Sequence, residues 1–332
     1  MRITVLAGGV GAARFLRGLT AAAPDADITV IGNTADDITL FGLHVSPDLD
    51  TVMYTLGGGV SEEQGWGRAD DTHTVLAELA AYGAGPDWFR LGDRDFATHL
   101  HRTAMLAAGL PLSAVTATLC ERWRPGVRLL PMTDDRVQTQ VVLGRPASAD
   151  DGAAGTPEVP ERAPGDTVHF QEWWVRMGAR VPAERFVFGG AAAATPAPGV
   201  TEAITGADIV LLAPSNPVVS IGPILAVPGI ARALESATVV GVSPIIGGSP
   251  VRGMADQCLA TIGVETSAAA VAAHYGPGLL NGWLVDERDA AAVNSPRLAG
   301  IEARALPLYM TDEAATAAIA LAALKLAEEC GR

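Results

Sequence analysis

The chain opens on Ile3-Thr4-Val5-Leu6-Ala7, a run that is apolar on both faces of a strand. A strand buried on both faces belongs inside a parallel sheet. Gly8-Gly9-Val10-Gly11 breaks the run, and Phe15, Leu16 and Leu19 then recur at helical spacing. After Pro24 a second run, Ile28-Thr29-Val30-Ile31, ends at Gly32-Asn33. Strand, helix and strand in so short a span form a βαβ unit, which predicts a doubly wound, mostly parallel, Rossmann-like α/β sheet. Further strands are expected over 137–143, 167–170, 209–213, 238–242 and 305–309. An Ala-rich helix from Asp312 onward closes the chain.

The period changes between residues 60 and 128. Apolar positions recur at helical spacing through Val75 to Leu79, Phe96 to Leu106 and Leu112 to Trp123. Gly83-Ala84-Gly85-Pro86 and Gly109-Leu110-Pro111 interrupt them. The pattern predicts a mostly helical insertion over 60–128 that walls part of a cleft, with 1–59 and 129–332 forming the nucleotide-binding core. From 144 to 166 Ala, Pro, Gly, Asp and Glu follow one another without an apolar period, as in a surface loop.

Composition narrows the function. Hydrophobic residues make up 49% and charged residues 18% of 332 residues, a folded composition that needs no disulfides to hold a core. The net charge of −14 repels phosphate backbones and anionic lipid, so neither nucleic acid nor a membrane is expected as partner. A small anionic substrate stays open, because a metal ion and nearby arginines can invert the field inside a cleft. The three cysteines, Cys120, Cys258 and Cys330, form no CxxC pair, which counts against a disulfide framework or a structural zinc. The first apolar run is too short for a signal core, and no stretch has the length of a membrane span. A soluble cytoplasmic protein is expected.

Four motifs carry candidate chemistry. Gly8-Gly9-Val10-Gly11 lies between strand and helix, where backbone amides and the helix dipole favour phosphate. It is neither a dinucleotide fingerprint, since Arg14 replaces the third Gly and Asn33 the acidic residue, nor a Walker loop, since Gly-Lys-Ser/Thr is absent. A tight structural turn is the plain alternative. Asn33, Asp36, Asp37, Asp48 and Asp50 cluster beyond the end of the second strand, where doubly wound sheets place ligands. Mg²⁺ takes one or two carboxylates together with substrate phosphates. The segment Trp88-Phe89-Arg90-Leu91-Gly92-Asp93-Arg94-Asp95, with His99 after it, suits an aromatic heterocycle and an anion, or else a capped helix start. Ala213-Pro214-Ser215-Asn216-Pro217 ends another strand, where Ser215 and Asn216 read a base or cap a helix beside a phosphate. Val242-Ser243-Pro244 ends the next strand in the same way and suggests one shared cleft.

Together these motifs resemble the 2-phospho-L-lactate transferase family (CofD/FbiA). The resemblance runs from Gly8 to Asp312 and is most specific in Ser46-Pro47-Asp48-Leu49-Asp50-Thr51, Leu91-Gly92-Asp93-Arg94-Asp95 and Pro214-Ser215-Asn216-Pro217. Gln171-Glu172-Trp173-Trp174-Val175 and Arg252-Gly253-Met254-Ala255-Asp256 look like the actinobacterial phosphoenolpyruvate transferase branch. The resemblance implies an Mg²⁺-dependent, usually dimeric enzyme of coenzyme F-420 biosynthesis. A phosphoenolpyruvyl or 2-phospho-L-lactyl group would pass from a guanosine diphospho donor to the ribityl hydroxyl of 8-hydroxy-5-deazariboflavin (Fo), releasing GMP. On that reading Gly8, Gly9, Gly11, Asn33, Ser215, Asn216 and Pro217 face the guanosine nucleotide. Asp50 and Arg90 meet the deazaflavin. Asp36, Asp48 and Asp50 are the candidate metal ligands, and Asp36 and Asp50 the catalytic residues. A non-catalytic nucleotide-sugar-binding regulator of the same superfamily is the competing reading. A nicotinamide oxidoreductase already suffers from Arg14 and Asn33.

Overall fold

The two opening runs pair in parallel in the computed structural model, Ile3 beside Ile28 and Val5 beside Val30. The model describes residues 1–145 and 162–331. Most of the loop expected over 144–166 therefore lies outside the described residues. Seven parallel strands form the central sheet: β1 (Arg2–Ala7), β2 (Asp27–Gly32), β3 (Arg128–Pro131), β4 (Ile209–Leu212), β5 (Val239–Val242), β6 (Gly282–Val285) and β7 (Glu302–Ala305). Their order is β7-β6-β5-β4-β1-β2-β3. That is the dinucleotide-fold order with one strand added, and its direction of winding reverses between β1 and β4.

Alternate side chains sort to the two faces, as the pleat requires. Ile3, Val5, Val30 and Leu211 pack under helices α1 (Gly9–Ala22), α2 (Pro47–Leu56) and the closing helix Glu313–Cys330. Leu6, Ile31, Val210 and Leu212 belong to the opposite layer. Since both faces are covered, a period-2 pattern is invisible in the central strands and only the continuous apolar run remains.

The three helices expected between 60 and 128 are present as α3 (Thr74–Ala81), α4 (Asp93–Ala107) and α5 (Leu112–Trp123). Leu112, Val115 and Leu119 of α5 join the same apolar layer as α1. Phe96 of α4 instead packs with Leu40, Val45 and Leu91 in a small separate cluster. Neither Asp93 nor Asp95 caps α4. Asp93 accepts hydrogen bonds from the Thr74 and Val75 amides and so caps α3, while Asp71 accepts from the Arg94 and Asp95 amides and caps α4. The exchange ties the two helix starts together.

Other differences have local causes. The expected strand over 305–309 is Glu302–Ala305 instead. Pro307 has no amide to donate, and the Leu308 amide turns to the Asp286 carboxylate at 2.8 Å. Strands β3 and β6 are not evident from the sequence, because β3 has two apolar residues between Arg128 and Pro131 and β6 three between Gly282 and Asp286, too few for a continuous apolar run. Gln138–Leu143 pairs antiparallel with Thr167–His169 on one side and Ala183–Gly189 on the other. A further hairpin, Ile38–Leu40 with Leu43–Val45, turns through Phe41 and Gly42, both at positive φ. Among the described residues no helix is long and apolar enough to cross a membrane.

Candidate active site

Ligands of open α/β sheets sit at the carboxyl ends of the strands where winding reverses. Between β1 and β4 the molecule opens a cavity of about 720 Å³, lined by residues from both motifs that end those strands. The glycine turn forms its floor. Gly9 has φ +74°, a conformation that favours glycine. A methyl group on Gly8 would come within 2.7 Å of the Ser220 Cβ, and one on Gly11 within 2.5 Å of the Pro214 carbonyl oxygen. Two of the three glycines are thus required by close approach of this chain's own residues. Gly11→Ala is expected to cost about 1–3 kcal/mol through the forced shift of α1 against the Pro214 turn, read as a lower urea midpoint with unchanged slope.

Helix α2 begins at Pro47 and carries Asp48 and Asp50 in its first turn. Residues two apart on a helix point to different sides. Asp48 faces the glycine turn and accepts a hydrogen bond from Asn33 Nδ2 at 3.0 Å. Asp50 faces α4, where both its oxygens are held by the fork of Arg102, one at 3.0 Å from Nη1 and the other by Nη2. Arg102 Nη1 also meets His99 Nδ1 at 3.1 Å. The expected acidic cluster therefore divides in two.

The first half is Asp36 with Asp48. Both line the cavity and both are buried. Burial, and then the Asp48 charge, hold the Asp36 carboxyl well above the usual carboxylate range. Burial pushes Asp48 up to about 6, the Asn33 hydrogen bond opposing and the Asp37 charge adding. Asp36 Oδ1 is buried without a hydrogen-bond partner. Two adjacent buried carboxylates with an orphaned oxygen lack a positive charge, and hard oxygen donors suit Mg²⁺. Among the described residues no group of three or more His, Cys, Asp or Glu stands close enough to cage an ion. The donor set accordingly fits an ion shared with substrate phosphates, on Asp36 and Asp48. Asp50 lines the same cavity, but both its oxygens are held by Arg102. Asp37 is engaged elsewhere, accepting from Ser46 Oγ at 2.8 Å and lying 2.8 Å from His44 Nε2.

Among the other expected residues, Ser215, Asn216 and Arg90 line the same cavity. Ser215 Oγ accepts from the Gly8 amide at 3.3 Å, and Asn216 Oδ1 caps the helical turn after Pro217, accepting from the Val218 and Val219 amides. Asn33 and Pro217 do not reach the cavity wall. Asn33 is completely buried, its amide bonded to Asp48 and the Val219 carbonyl and its oxygen to the Ala35 amide. It orients Asp48.

Several cavity residues escape the sequence reading. Arg14 and Arg252 line the cavity and flank Gly65, and Arg252 donates to the Gln64 carbonyl. Among the described residues neither has an acidic partner, and nor does Arg90. In a chain of net charge −14, three unpaired arginines around one cavity make a local anion site. Trp66 and Trp174 add aromatic walls beside Phe89 of the segment expected to hold an aromatic heterocycle. On α4, Asp95, His99 and Arg102 lie four and three residues apart on the inward face and are buried. That stripe was available as a signal, because a buried helix face is rarely charged.

The parallel sheet, its strand order and the crevice at its reversal point define an α/β protein of the Rossmann class. A family model described as 2-phospho-L-lactate transferase CofD matches residues 3–317, and the chain belongs to that family of transferases. It is similar to phosphoenolpyruvate transferases of Streptomyces coelicolor (66% identical, 99% of each chain covered) and Thermobifida fusca (64%, 99% of this chain and 98% of the relative). One from Mycobacterium sp. strain JLS is 53% identical over 98% of this chain and 99% of its own. Among solved structures, a UPF0052-family protein of Bacillus halodurans superposes with a TM-score of 0.62 at 17% identity, covering 97% of this chain and 99% of that one. That likeness concerns the fold.

Proposed function

We propose that this chain transfers a phosphoenolpyruvyl group from a guanosine diphospho donor to the terminal ribityl hydroxyl of the deazaflavin Fo, releasing GMP, in the biosynthesis of coenzyme F-420. The observation that carries this reading is one cavity joining a phosphate-type floor to an aromatic wall. The floor has the glycine turn, the Asp36–Asp48 pair and unpaired arginines; the wall has Phe89, Tyr54 and Leu91 beside Arg90. Its volume of about 720 Å³ falls in the range of small-molecule sites. The enolpyruvyl donor is favoured over the lactyl one because the actinobacterial relatives at 53–66% identity are phosphoenolpyruvate transferases.

Phosphoryl transfer depends mainly on positioning and on neutralising charge. Mg²⁺, held by Asp36 and Asp48 with the donor phosphates, supplies that neutralisation when bound. Ser215 fixes the Gly8 amide, and Asn216 sets the turn beside the guanosine side of the cavity. Arg14 and Arg252 take the anionic end of the donor. Asp50 is locked by Arg102 and shapes the acceptor side.

Mass spectrometry of the protein with Mg²⁺, Fo and either donor tests the reading. The enolpyruvyl adduct and GMP are expected. Tight binding of a uridine diphosphate sugar with no adduct from either donor would favour the regulator instead. Arg90→Ala should weaken Fo binding about tenfold, as loss of one charged hydrogen bond does, with guanosine diphosphate affinity unchanged in calorimetry. Equal weakening of both ligands would place Arg90 on neither side alone.

A further inference from the structure

One buried carboxylate on the cavity wall has an oxygen that the fold leaves without a hydrogen bond. Asp95 is 6% exposed, and its Oδ1 has no hydrogen-bond partner. It does not cap its own helix, since Asp71 holds the Asp95 amide from the preceding loop. The Tyr54 hydroxyl on α2, buried on the same side, faces Asp95, but no hydrogen bond of normal length joins them. A buried carboxylate oxygen without a hydrogen bond of normal length costs free energy. Both groups line the cavity beside Phe89 and Leu91, on the side assigned above to the acceptor.

We propose that Asp95 is the catalytic residue that receives the proton of the attacking acceptor hydroxyl. The proposal rests on the transfer reading. In that step the hydroxyl oxygen bonds to the phosphorus bearing the enolpyruvyl group. The bond from this phosphorus to the oxygen shared with the GMP phosphate breaks, and GMP leaves with that oxygen and the bonding pair. The hydroxyl proton passes to Asp95, and nothing is oxidised or reduced.

The neighbouring candidates are committed elsewhere. Both Asp50 oxygens are taken by Arg102. Burial pushes the His99 imidazole down to about 4, and its Nδ1 faces the Arg102 guanidinium. Asp36 and Asp48 lie at the glycine turn. Around Asp95 stand Asp50 and Tyr54 from α2, Asp71 and Arg68 from the preceding loop, and His99 and Arg102 from its own helix. Burial, and then the Asp50 charge with that of Asp71, outweigh the Tyr54 hydroxyl and Arg68 and push Asp95 up to about 7. A base is effective when its proton affinity lies close to the working pH.

The test compares wild type, Asp95→Asn and Asp95→Glu in pH profiles of adduct formation, with Mg²⁺ saturating at every pH so that protonation of Asp36 and Asp48 sets no limb of its own, and with Fo binding followed by fluorescence. A carboxylate base works only when deprotonated, so wild-type kcat/KM should fall below about pH 7. Asp95→Asn should lower kcat by about 10²–10⁴-fold, abolish that acid limb and leave Fo affinity little changed. Asp95→Glu should regain part of the rate and restore a limb. A loss of less than about tenfold in Asp95→Asn, or an acid limb surviving in it, overturns the proposal. So does a loss of rate that follows Fo affinity alone. If the wild type forms no adduct with either donor, the transfer reading has failed and the proposal falls with it.

Discussion

Replacing Arg102 with methionine should destabilise the folded protein by about 3–5 kcal/mol, the cost of leaving a buried charge without its partner. Arg102 is 1% exposed and grips both oxygens of Asp50, itself buried. Taking away the guanidinium strands a carboxylate between α2 and α4 with only His99, 3.7 Å away, to face it. Against a typical total of about 5–15 kcal/mol, that is a large fraction. Asp50→Leu should cost a similar amount by stranding the cation. The double variant should regain several kcal/mol, since a buried pair can often be replaced by apolar groups of like volume. Urea midpoints of the four proteins close the cycle. Additive losses would mean that the two charges do not interact. Arg102→Lys should recover only part, because an ammonium cannot reproduce the two-point fork. Asp50→Ala is consequently no clean test of chemistry, since lost turnover would accompany a weakened fold.

This pair also shows where sequence reasoning stops. The sheet was legible because its strands are uninterrupted apolar runs, and the glycine turn because few residues tolerate that path. The aspartates were legible as a cluster but not as two groups. Their division depends on α2 starting at Pro47, which aims Asp48 at the turn and Asp50 at α4. Arg102 is far from Asp50 along the chain, and only tertiary packing brings them together. Asn33 reads as a phosphate ligand from its place after β2, yet the fold buries it behind Asp48. Arg14 and Arg252 are far apart in the sequence and meet only around Gly65. Strands β3 and β6 were missed for a simpler reason: Arg128 and Pro131 bound one and Gly282 and Asp286 the other, leaving no continuous apolar run of the kind that marks β4.

Asp36→Asn is expected to abolish transfer and, without divalent cation, to make the protein more stable. In the wild type, burial raises both Asp36 and Asp48 above their unfolded values, the Asp48 charge adding for Asp36 and the Asp37 charge for Asp48. A carboxyl raised on folding binds more protons in the native than in the unfolded state, so stability falls as pH rises between the two pKa values. For Asp48 that window runs from about 4 in the unfolded chain to about 6 in the folded one. Removing the Asp36 charge relieves the repulsion, and the gain should reach about 1–3 kcal/mol at neutral pH or above and vanish in acid. Magnesium should reverse the ranking. An ion that binds only the folded wild type adds RT ln(1 + [L]/Kd) of stability, which the variant lacks. Thermal melts in chelator and in millimolar Mg²⁺, near pH 5 and near pH 8, separate these contributions. The wild-type shift with Mg²⁺ should be larger at the higher pH, where protons no longer compete for the carboxylates. Turnover should drop by about 10³-fold or more, matching the several kcal/mol of charge stabilisation that a bound ion provides. An Asp36→Asn protein with the same magnesium shift as the wild type would place the ion elsewhere, and one that melts lower in chelator would mean that Asp36 supports the fold through contacts rather than straining it through charge.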